Sequence, residues 1–132
     1  MILVDTSVLI PFLKGIENEK TRKFEELLKK SIPFGINYCI YQEVLQGARD
    51  EKEFRVLEKY LSSQIFYEFQ YGRESYQKAA LLYLRCRKAG FTIRSTVDLI
   101  IVQTAIENGL YLLHDDRDFT IIARVENKLM EW

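Results

Sequence analysis

Short apolar segments alternate along this chain with segments of helical periodicity, and this alternation constrains the fold more than any other feature. The apolar segments are near-continuously apolar, as strands buried on both faces of a parallel sheet are. They predict strands at residues 2–4, 33–37, 65–69, 110–114 and 128–132. Parallel strands are joined by crossover connections, which are usually helices. The alternation therefore predicts an α/β sandwich with helices around a mostly parallel sheet.

The segments between the strands carry the spacing of amphipathic helices. In residues 17–30, for example, Phe24, Leu27 and Leu28 fall at i, i+3 and i+4, with charged residues on the other face. Helices are predicted at residues 6–13, 17–30, 38–48, 51–61, 74–89, 95–109 and 118–124. Gly90 and Gly109 follow two of these segments, and glycine commonly ends a helix.

Length and charge narrow the class of protein. The 132 residues suggest one domain over residues 1–132. The 19 basic and 19 acidic residues cancel, so no overall positive field marks a nucleic-acid binder, although a local basic surface is compatible with this balance. Cys39 and Cys86 match no disulfide or metal spacing. Because no signal-peptide pattern or membrane-length apolar run is present, we expect a soluble cytoplasmic protein.

Acidic residues cluster where the predicted strands end. Asp5 follows the first strand, and Asp116 and Asp118 follow the strand at 110–114. Parallel strands end at the same edge of a sheet, where ligands of such folds gather. Asp98 begins the apolar stripe of the helix at 95–109, so its carboxylate is expected to be partly desolvated. A shared acidic site at this edge is one interpretation.

Each acid also has a simpler structural interpretation. Asp5 or Thr6 could cap the following helix. The sequence "STVD" at 95–98 has the spacing of a capping box. Glu43 lies away from the apolar stripe of its helix, so the helical wheel predicts a solvated side chain. For any single acid the structural role is favoured, and only the convergence of several acids favours a site.

Four segments together resemble the PIN-domain ribonucleases, and among them the VapC-type toxins of bacterial and archaeal toxin–antitoxin pairs. They are "MILVDTSVLI" at 1–10, "YQEVLQGA" at 41–48, "STVDLIIVQTAIENG" at 95–109 and "LLHDDRDFTIIA" at 112–123. Each motif alone is weak, whereas all four in family order, spanning nearly the whole chain, are specific. The resemblance implies a PIN-like three-layer α/β/α sandwich with a five-stranded, mostly parallel sheet.

The same resemblance implies the residues of the active site. The four implied catalytic acids are Asp5, Glu43, Asp98 and Asp116. Asp5, Asp98 and Asp116 would bind a metal ion, while Glu43 would hold a water and help to deprotonate it, against the helical-wheel interpretation of that residue. The implied accessory residues are Asp118, Thr6, Ser7 and Arg117. Asp115 is less favoured, because the family's acid usually stands two residues before the "DF" pair at 118–119.

The chemistry of these side chains indicates the metal. Several carboxylates packed together cannot all stay ionised without a cation. Hard oxygen ligands select Mg²⁺, with Mn²⁺ as a substitute, over Zn²⁺. The single histidine, His114, cannot build a zinc site with two scattered cysteines, and we expect it to lie near the site without acting as a ligand.

The resemblance also implies the substrate and the partners. The substrate would be RNA, cleaved internally by an activated water to leave a 3′-hydroxyl and a 5′-phosphate. Candidate cations for RNA phosphates are Lys14, Lys20, Arg22, Lys23, Arg85, Arg87, Lys88 and Arg94. A small antitoxin protein would bind the chain, with residues 10–13 and the helices at 17–30 and 51–61 as apolar docking surfaces. A homodimer is also implied.

Other functions are compatible with acids after parallel strands. One is a magnesium-dependent phosphohydrolase acting on a small phosphoester, although its common aspartyl-nucleophile form needs a second acid where Ser7 stands. A receiver-type signalling domain would need an acid beside Asp5, where Val4 stands, and a late lysine after a strand. A PIN nuclease of RNA processing that is not a toxin, and a PIN-like scaffold without catalysis, are the remaining alternatives.

Overall fold

A computed structural model of the chain describes residues 1–132 and contains five strands and seven helices. The strands are β1 (Ile2–Val4), β2 (Phe34–Ile36), β3 (Ile65–Phe66), β4 (Tyr111–Leu113) and β5 (Met130–Glu131). The helices are α1 (Thr6–Leu13), α2 (Glu19–Lys29), α3 (Tyr38–Gln46), α4 (Glu51–Ser62), α5 (Arg73–Lys88), α6 (Thr96–Glu107) and α7 (Arg117–Val125). Every predicted strand and helix is present, with ends that differ by a few residues.

The five strands form one sheet in the order β3-β2-β1-β4-β5, and every neighbouring pair is parallel. The helices pack in two groups, α1 to α4 and α5 to α7, as an α/β/α sandwich requires. The predicted fold class is therefore confirmed, and the sheet is parallel throughout. The strands β2 and β3 are added on one side of β1, whereas β4 and β5 are added on the other side. The order of the strands along the sheet therefore reverses between β1 and β4.

The two edge strands are shorter than the sequence predicts. Residues 65–69 were expected as a strand, yet only Ile65 and Phe66 pair with β2. The Tyr67 N–H still donates to the Ile36 carbonyl oxygen at 2.9 Å, and there the pairing ends because β2 itself ends. Gly35 in β2 lies under the Tyr67 ring, where a Cβ would stand 2.3 Å from a ring carbon. The apolar residues beyond Phe66 therefore pack as loop, not as strand.

A single cluster of 28 buried hydrophobic side chains holds the sheet and helices together. Phe24 of α2 makes edge-to-face contacts with Phe12 of α1 and Phe34 of β2, at centroid distances of 4.8 and 5.0 Å. Gly90 and Gly109 adopt φ angles of 94° and 62° just after α5 and α6, so both predicted helix ends are confirmed. None of the helices combines the length and the apolar character that crossing a membrane demands.

Candidate metal centre and active site

The carboxyl ends of β1 and β4 lie side by side at the point where the order of the strands reverses. Ligands of open α/β sheets bind in the crevice at such a switch point. Asp5 directly follows β1, and its N–H donates to the carbonyl oxygen of Leu113, the last residue of β4, at 3.0 Å. The segment that carries Asp116 and Asp118 therefore leaves the sheet beside Asp5.

Three carboxylates form the tightest acidic group of the site. Asp98, Asp116 and Asp118 each offer one oxygen, and these oxygens all lie within 4.8 Å of one another. Asp98 stands in the first turn of α6, whereas Asp116 caps α7 and accepts a hydrogen bond from the Asp118 N–H at 2.9 Å. Asp118, which the sequence indicated only as an accessory residue, thus belongs to the same group as two predicted ligands.

The path of the chain after β3 explains why Asp98 reaches this edge. The segment after β3 returns to the amino edge, where the Gln70 N–H donates to Glu107 Oε1 at 2.9 Å and Asn108 Nδ2 donates to the Glu68 carbonyl oxygen at 3.0 Å. From there α5 runs back towards the carboxyl edge, so α6 starts at that edge and ends at the amino edge, just before β4. The sequence alone left the position of the start of α6 open.

Asp5 combines the two roles that the sequence left as alternatives. As the N-cap of α1, its Oδ2 accepts a hydrogen bond from the Ser7 N–H at 2.9 Å. The residue is only 3% exposed, and this burial raises the pKa of Asp5 although hydrogen bonds from Ser7 and Thr6 oppose the rise. Its charge also raises the pKa values of Asp98 and Glu43, so Asp5 lies within electrostatic reach of both.

Glu43 lines the acidic crevice from α3. Its Oε2 accepts a hydrogen bond from Thr6 Oγ1 at 3.2 Å, and burial followed by the charge of Asp5 raises its pKa. The helical wheel predicted a solvated side chain, and this prediction is wrong. The polar face of α3 does carry Glu43, but that face turns towards the start of α1 and leaves the side chain half-buried.

Four other acids of the site act electrostatically on Asp98. Burial, followed by the charges of Asp116, Asp5, Asp118 and Glu43, raises the pKa of Asp98 to about 7. A cation next to a carboxyl group in such an acidic environment favours the ionised form of that group. The donors are all carboxylate oxygens, which fit a hard divalent cation such as Mg²⁺. Since Mg²⁺ takes only one or two direct carboxylates, the other acids would bind its waters.

The two predicted hydroxyls have different partners. Thr6 donates to Glu43, whereas Ser7 Oγ accepts a hydrogen bond from the Asp115 N–H at 2.8 Å. Ser7 thus joins the start of α1 to the segment after β4. Asp115 itself is exposed and stands outside the close acidic group, as the sequence analysis expected.

One interaction that orients Asp116 was absent from the sequence analysis. The Asp116 N–H donates to His114 Nδ1 at 3.2 Å, and His114 Nε2 contacts Glu131 Oε2 of β5 at 2.7 Å. Both ring nitrogens of the buried His114 therefore have partners within the protein. Glu131 follows no motif, and no sequence signal pairs it with His114.

The predicted cations divide into several environments. Arg85 pairs with Glu126 at 3.3 Å, and the Arg87 guanidinium lies over the Tyr83 ring. The partners of both residues therefore lie outside the acidic site. Arg94 lies beside the site, since its backbone N–H and its Nε each donate to Asp118 Oδ2 at 3.4 Å. Lys20 and the accessory residue Arg117 line a cavity next to Asp116.

The fold is that of a PIN domain. A family model described as "PIN domain" matches residues 2–125, and the chain belongs to this family. The chain is 31% identical over 129 residues to VapC ribonuclease Mb1587 of Mycobacterium bovis and to ribonuclease VapC11 of Mycobacterium tuberculosis. The match covers 96% of this chain and 95% of each relative. The resemblance inferred from the four motifs is therefore confirmed.

Solved structures show the same fold at low sequence identity. The VapBC2 complex of Rickettsia felis, bound to a promoter DNA fragment, matches with a TM-score of 0.73 and 19% identity, over 100% of this chain and 98% of that chain. VapBC-1 of nontypeable Haemophilus influenzae matches with a TM-score of 0.70 and 20% identity, over 100% and 97%. These similarities support the architecture described above.

Proposed function

We propose that this protein is a magnesium-dependent endoribonuclease and the toxin of a VapBC-type toxin–antitoxin pair. The observation that carries the proposal is the convergence of five carboxylates at the switch point of a PIN fold, in a chain whose relatives are VapC ribonucleases. A complete acid set favours a nuclease over a scaffold without catalysis. An aspartyl-nucleophile phosphohydrolase would need an acid at position 7. This position holds Ser7, whose Oγ accepts a hydrogen bond from the Asp115 N–H, and this disfavours that alternative.

The residues of the chain would divide the work of phosphodiester hydrolysis. Asp5, Asp98 and Asp116 would hold Mg²⁺, with Asp118 supporting Asp116. When bound, the ion would lower the pKa of the attacking water and offset the negative charge that develops on the phosphate. Glu43, whose carboxylate Thr6 orients, would accept a proton from that water. The buried Asp5 carboxylate is held by the hydrogen bond from the Ser7 N–H.

Cleavage of total cellular RNA tests the catalytic part of this proposal. We expect internal cuts that leave 3′-hydroxyl and 5′-phosphate ends, and these cuts should require Mg²⁺ or Mn²⁺. Sequencing of the 5′-phosphate ends with and without EDTA measures both properties and reveals which RNA is preferred. Release of phosphate from small phosphoesters without RNA cleavage would instead support the phosphohydrolase alternative.

An apolar groove between three helices offers a docking surface for the antitoxin. A cavity of about 800 Å³ lies between α1, α3 and α4. Its apolar lining residues are Ile10, Leu13, Val44, Val56 and Leu57. Three charged residues, Lys14, Arg49 and Glu53, border it. Two of the three surfaces predicted from the sequence, residues 10–13 and the helix at 51–61, meet in this groove, whereas the helix at 17–30 does not line it.

Expression of the protein alone is expected to arrest the growth of its host, and co-expression of an adjacent antitoxin gene should relieve the arrest. Val56→Asp places a charge in the groove at a residue that is 63% exposed, so the fold should tolerate it. We expect this variant to cleave RNA like the wild type but to escape the antitoxin. Viable counts and a pull-down with the antitoxin measure the two effects.

Matched controls separate the toxin role from the nuclease role. The control is Lys30→Ala, an exposed change at the far end of α2 that should leave antitoxin relief intact. Harmless expression of an active nuclease would contradict the toxin role and favour a PIN nuclease of RNA processing. Homodimer formation stays a prediction of the family resemblance.

A further inference from the structure

A second cavity, of about 430 Å³, has no hydrophobic lining. It lies between the start of α2 and the segment that joins β4 to α7. The lining residues are Lys20, His114, Asp115, Asp116, Arg117 and Thr120. Because Asp116 belongs to both this cavity and the acidic group, a molecule bound here would lie directly beside the proposed metal centre.

The uncharged polar side chains of this cavity already have partners within the protein. His114 Nδ1 accepts a hydrogen bond from the Asp116 N–H, and His114 Nε2 contacts Glu131 at 2.7 Å. Thr120 Oγ1 donates to the same Glu131 carboxylate at 3.2 Å. The side-chain donors left for a ligand are therefore the ammonium of Lys20 and the guanidinium of Arg117.

These two cations make no ion pair, although acids surround them. No carboxylate oxygen lies within 4.0 Å of the Lys20 ammonium or the Arg117 guanidinium, whereas Arg94 pairs with Asp118. Lys20 stands in the first turn of α2 and is half-buried, and Arg117 is the first residue of α7. Two unpaired cations from two different helices thus border one polar cavity.

We infer that Lys20 and Arg117 bind a phosphate group of the RNA strand next to the scissile phosphate. This inference rests on the proposed ribonuclease function. The RNA phosphates are repelled by the five carboxylates of the crevice, and one metal ion does not neutralise all of these charges. Cations beside the site offset the remaining repulsion. The planar guanidinium binds two phosphate oxygens at once, while the ammonium acts as a point charge.

The inference makes Lys20 and Arg117 substrate-binding residues that act mainly through affinity. Lys20→Ala and Arg117→Ala are each expected to raise KM for single-stranded RNA about tenfold while changing kcat less than about twofold. Removal of a phosphate contact should also make the dependence of log(kcat/KM) on log salt concentration shallower by about 0.7. If both cations hold one phosphate, the double variant should lose less binding free energy than the sum of the losses in the two single variants.

Lys30→Ala is the matched control, since it removes the same charge from the far end of α2, about 15 Å along the helix from Lys20. It should keep the KM and the salt dependence of the wild type. Binding of a fluorescently labelled single-stranded RNA to the metal-free protein, followed by anisotropy, measures the same contact without cleavage. Lys20→Ala and Arg117→Ala should weaken this binding, and Lys30→Ala should not.

The outcomes distinguish this inference from the proposed function. If the wild type cleaves RNA and Lys20→Ala and Arg117→Ala match Lys30→Ala in KM, salt dependence and anisotropy, the phosphate site is wrong and the nuclease stands. If the two variants lose antitoxin binding but keep RNA binding, the cavity belongs to the protein partner, which also overturns the inference. If the wild type neither binds nor cleaves RNA, both proposals fail together.

Discussion

Asp5→Asn and Asp98→Asn are each expected to lower kcat/KM for RNA cleavage at least about 100-fold, because each removes a carboxylate charge proposed to hold the divalent ion. Loss of metal-ion catalysis costs several kcal/mol of transition-state stabilisation, which corresponds to this factor. The fold should survive in both variants. Asn keeps a side-chain oxygen at position 5, so the cap on the Ser7 N–H can persist while the charge disappears.

Asp50→Asn provides the matched control for this loss. Asp50 caps α4, where its side chain accepts a hydrogen bond from the Glu53 N–H at 2.8 Å, just as Asp5 caps α1. The substitution is chemically identical, but Asp50 is exposed and lies outside the acidic crevice. We expect its cleavage rate and its circular dichroism spectrum to match the wild type. Equal activity in Asp5→Asn, Asp98→Asn and Asp50→Asn would remove the basis of the mechanism.

The metal-free Asp98→Asn variant is expected to be more stable than the wild type at pH 8, with a clearly smaller difference at pH 5. The pKa of Asp98 is raised to about 7 in the folded protein from an ordinary value of 3.8. Between these pH values the folded state retains a proton that the unfolded chain has released, so stability falls as pH rises. Above pH 7 the carboxylate is ionised in both states, and its full cost to the folded state is present.

Asn is neutral at every pH and avoids this cost. After screening by solvent, we expect a gain of about 1–2 kcal/mol at pH 8, or about 5 °C in Tm. Scanning calorimetry in EDTA at pH 5 and pH 8 measures the difference for the wild type, Asp98→Asn and Asp50→Asn. Addition of Mg²⁺ at pH 8 should raise the Tm of the wild type, because a ligand of the folded state stabilises it, and should raise that of Asp98→Asn much less. A Tm difference that does not change with pH would show that Asp98 is not electrostatically strained.

The strands and helices could be predicted because burial leaves a direct pattern in the sequence. Continuous apolar runs such as residues 2–4 are the signature of parallel strands covered on both faces. The ends of the edge strands were harder to predict, because apolar residues beyond the end of a strand can pack into the core without pairing with a neighbouring strand. In β3 the partner strand stops at Ile36, and the aromatic residues after Phe66 still contribute to the core. Apolar character predicts burial there, but it does not predict pairing.

Without the family resemblance, the candidate site was predictable only where its residues follow strand ends. Asp5 directly follows β1, and Asp116 stands three residues beyond the end of the neighbouring parallel strand β4, so the topology brings them together. Glu43 and Asp98 stand on helices, and their positions depend on how those helices pack. The helical wheel of α3 distinguishes an apolar face from a polar one, but it does not tell whether the polar face meets water or a crevice. The contact between His114 and Glu131 joins residues 17 positions apart and has no signature in the sequence.

The stability of the metal-free fold and the function of the site are in conflict at Asp98. Burial and four neighbouring charges make its ionised form unfavourable, which is typical of sites that are shaped for a ligand. The same arrangement gives a divalent cation its favourable electrostatic environment. Substitutions that relieve the repulsion should therefore stabilise the fold and remove the activity together.

The central claim is that the acidic crevice at the switch point, through Asp5, Asp98 and Asp116, binds the divalent ion on which RNA cleavage depends. Steady-state cleavage of single-stranded RNA, measured against Mg²⁺ concentration for the wild type and Asp98→Asn side by side, tests it most directly. We predict that Mg²⁺ activates the wild type to saturation, that EDTA abolishes cleavage, and that Asp98→Asn stays inactive at every Mg²⁺ concentration. Cleavage by the wild type in EDTA, or the same Mg²⁺ dependence in the variant, would contradict the account.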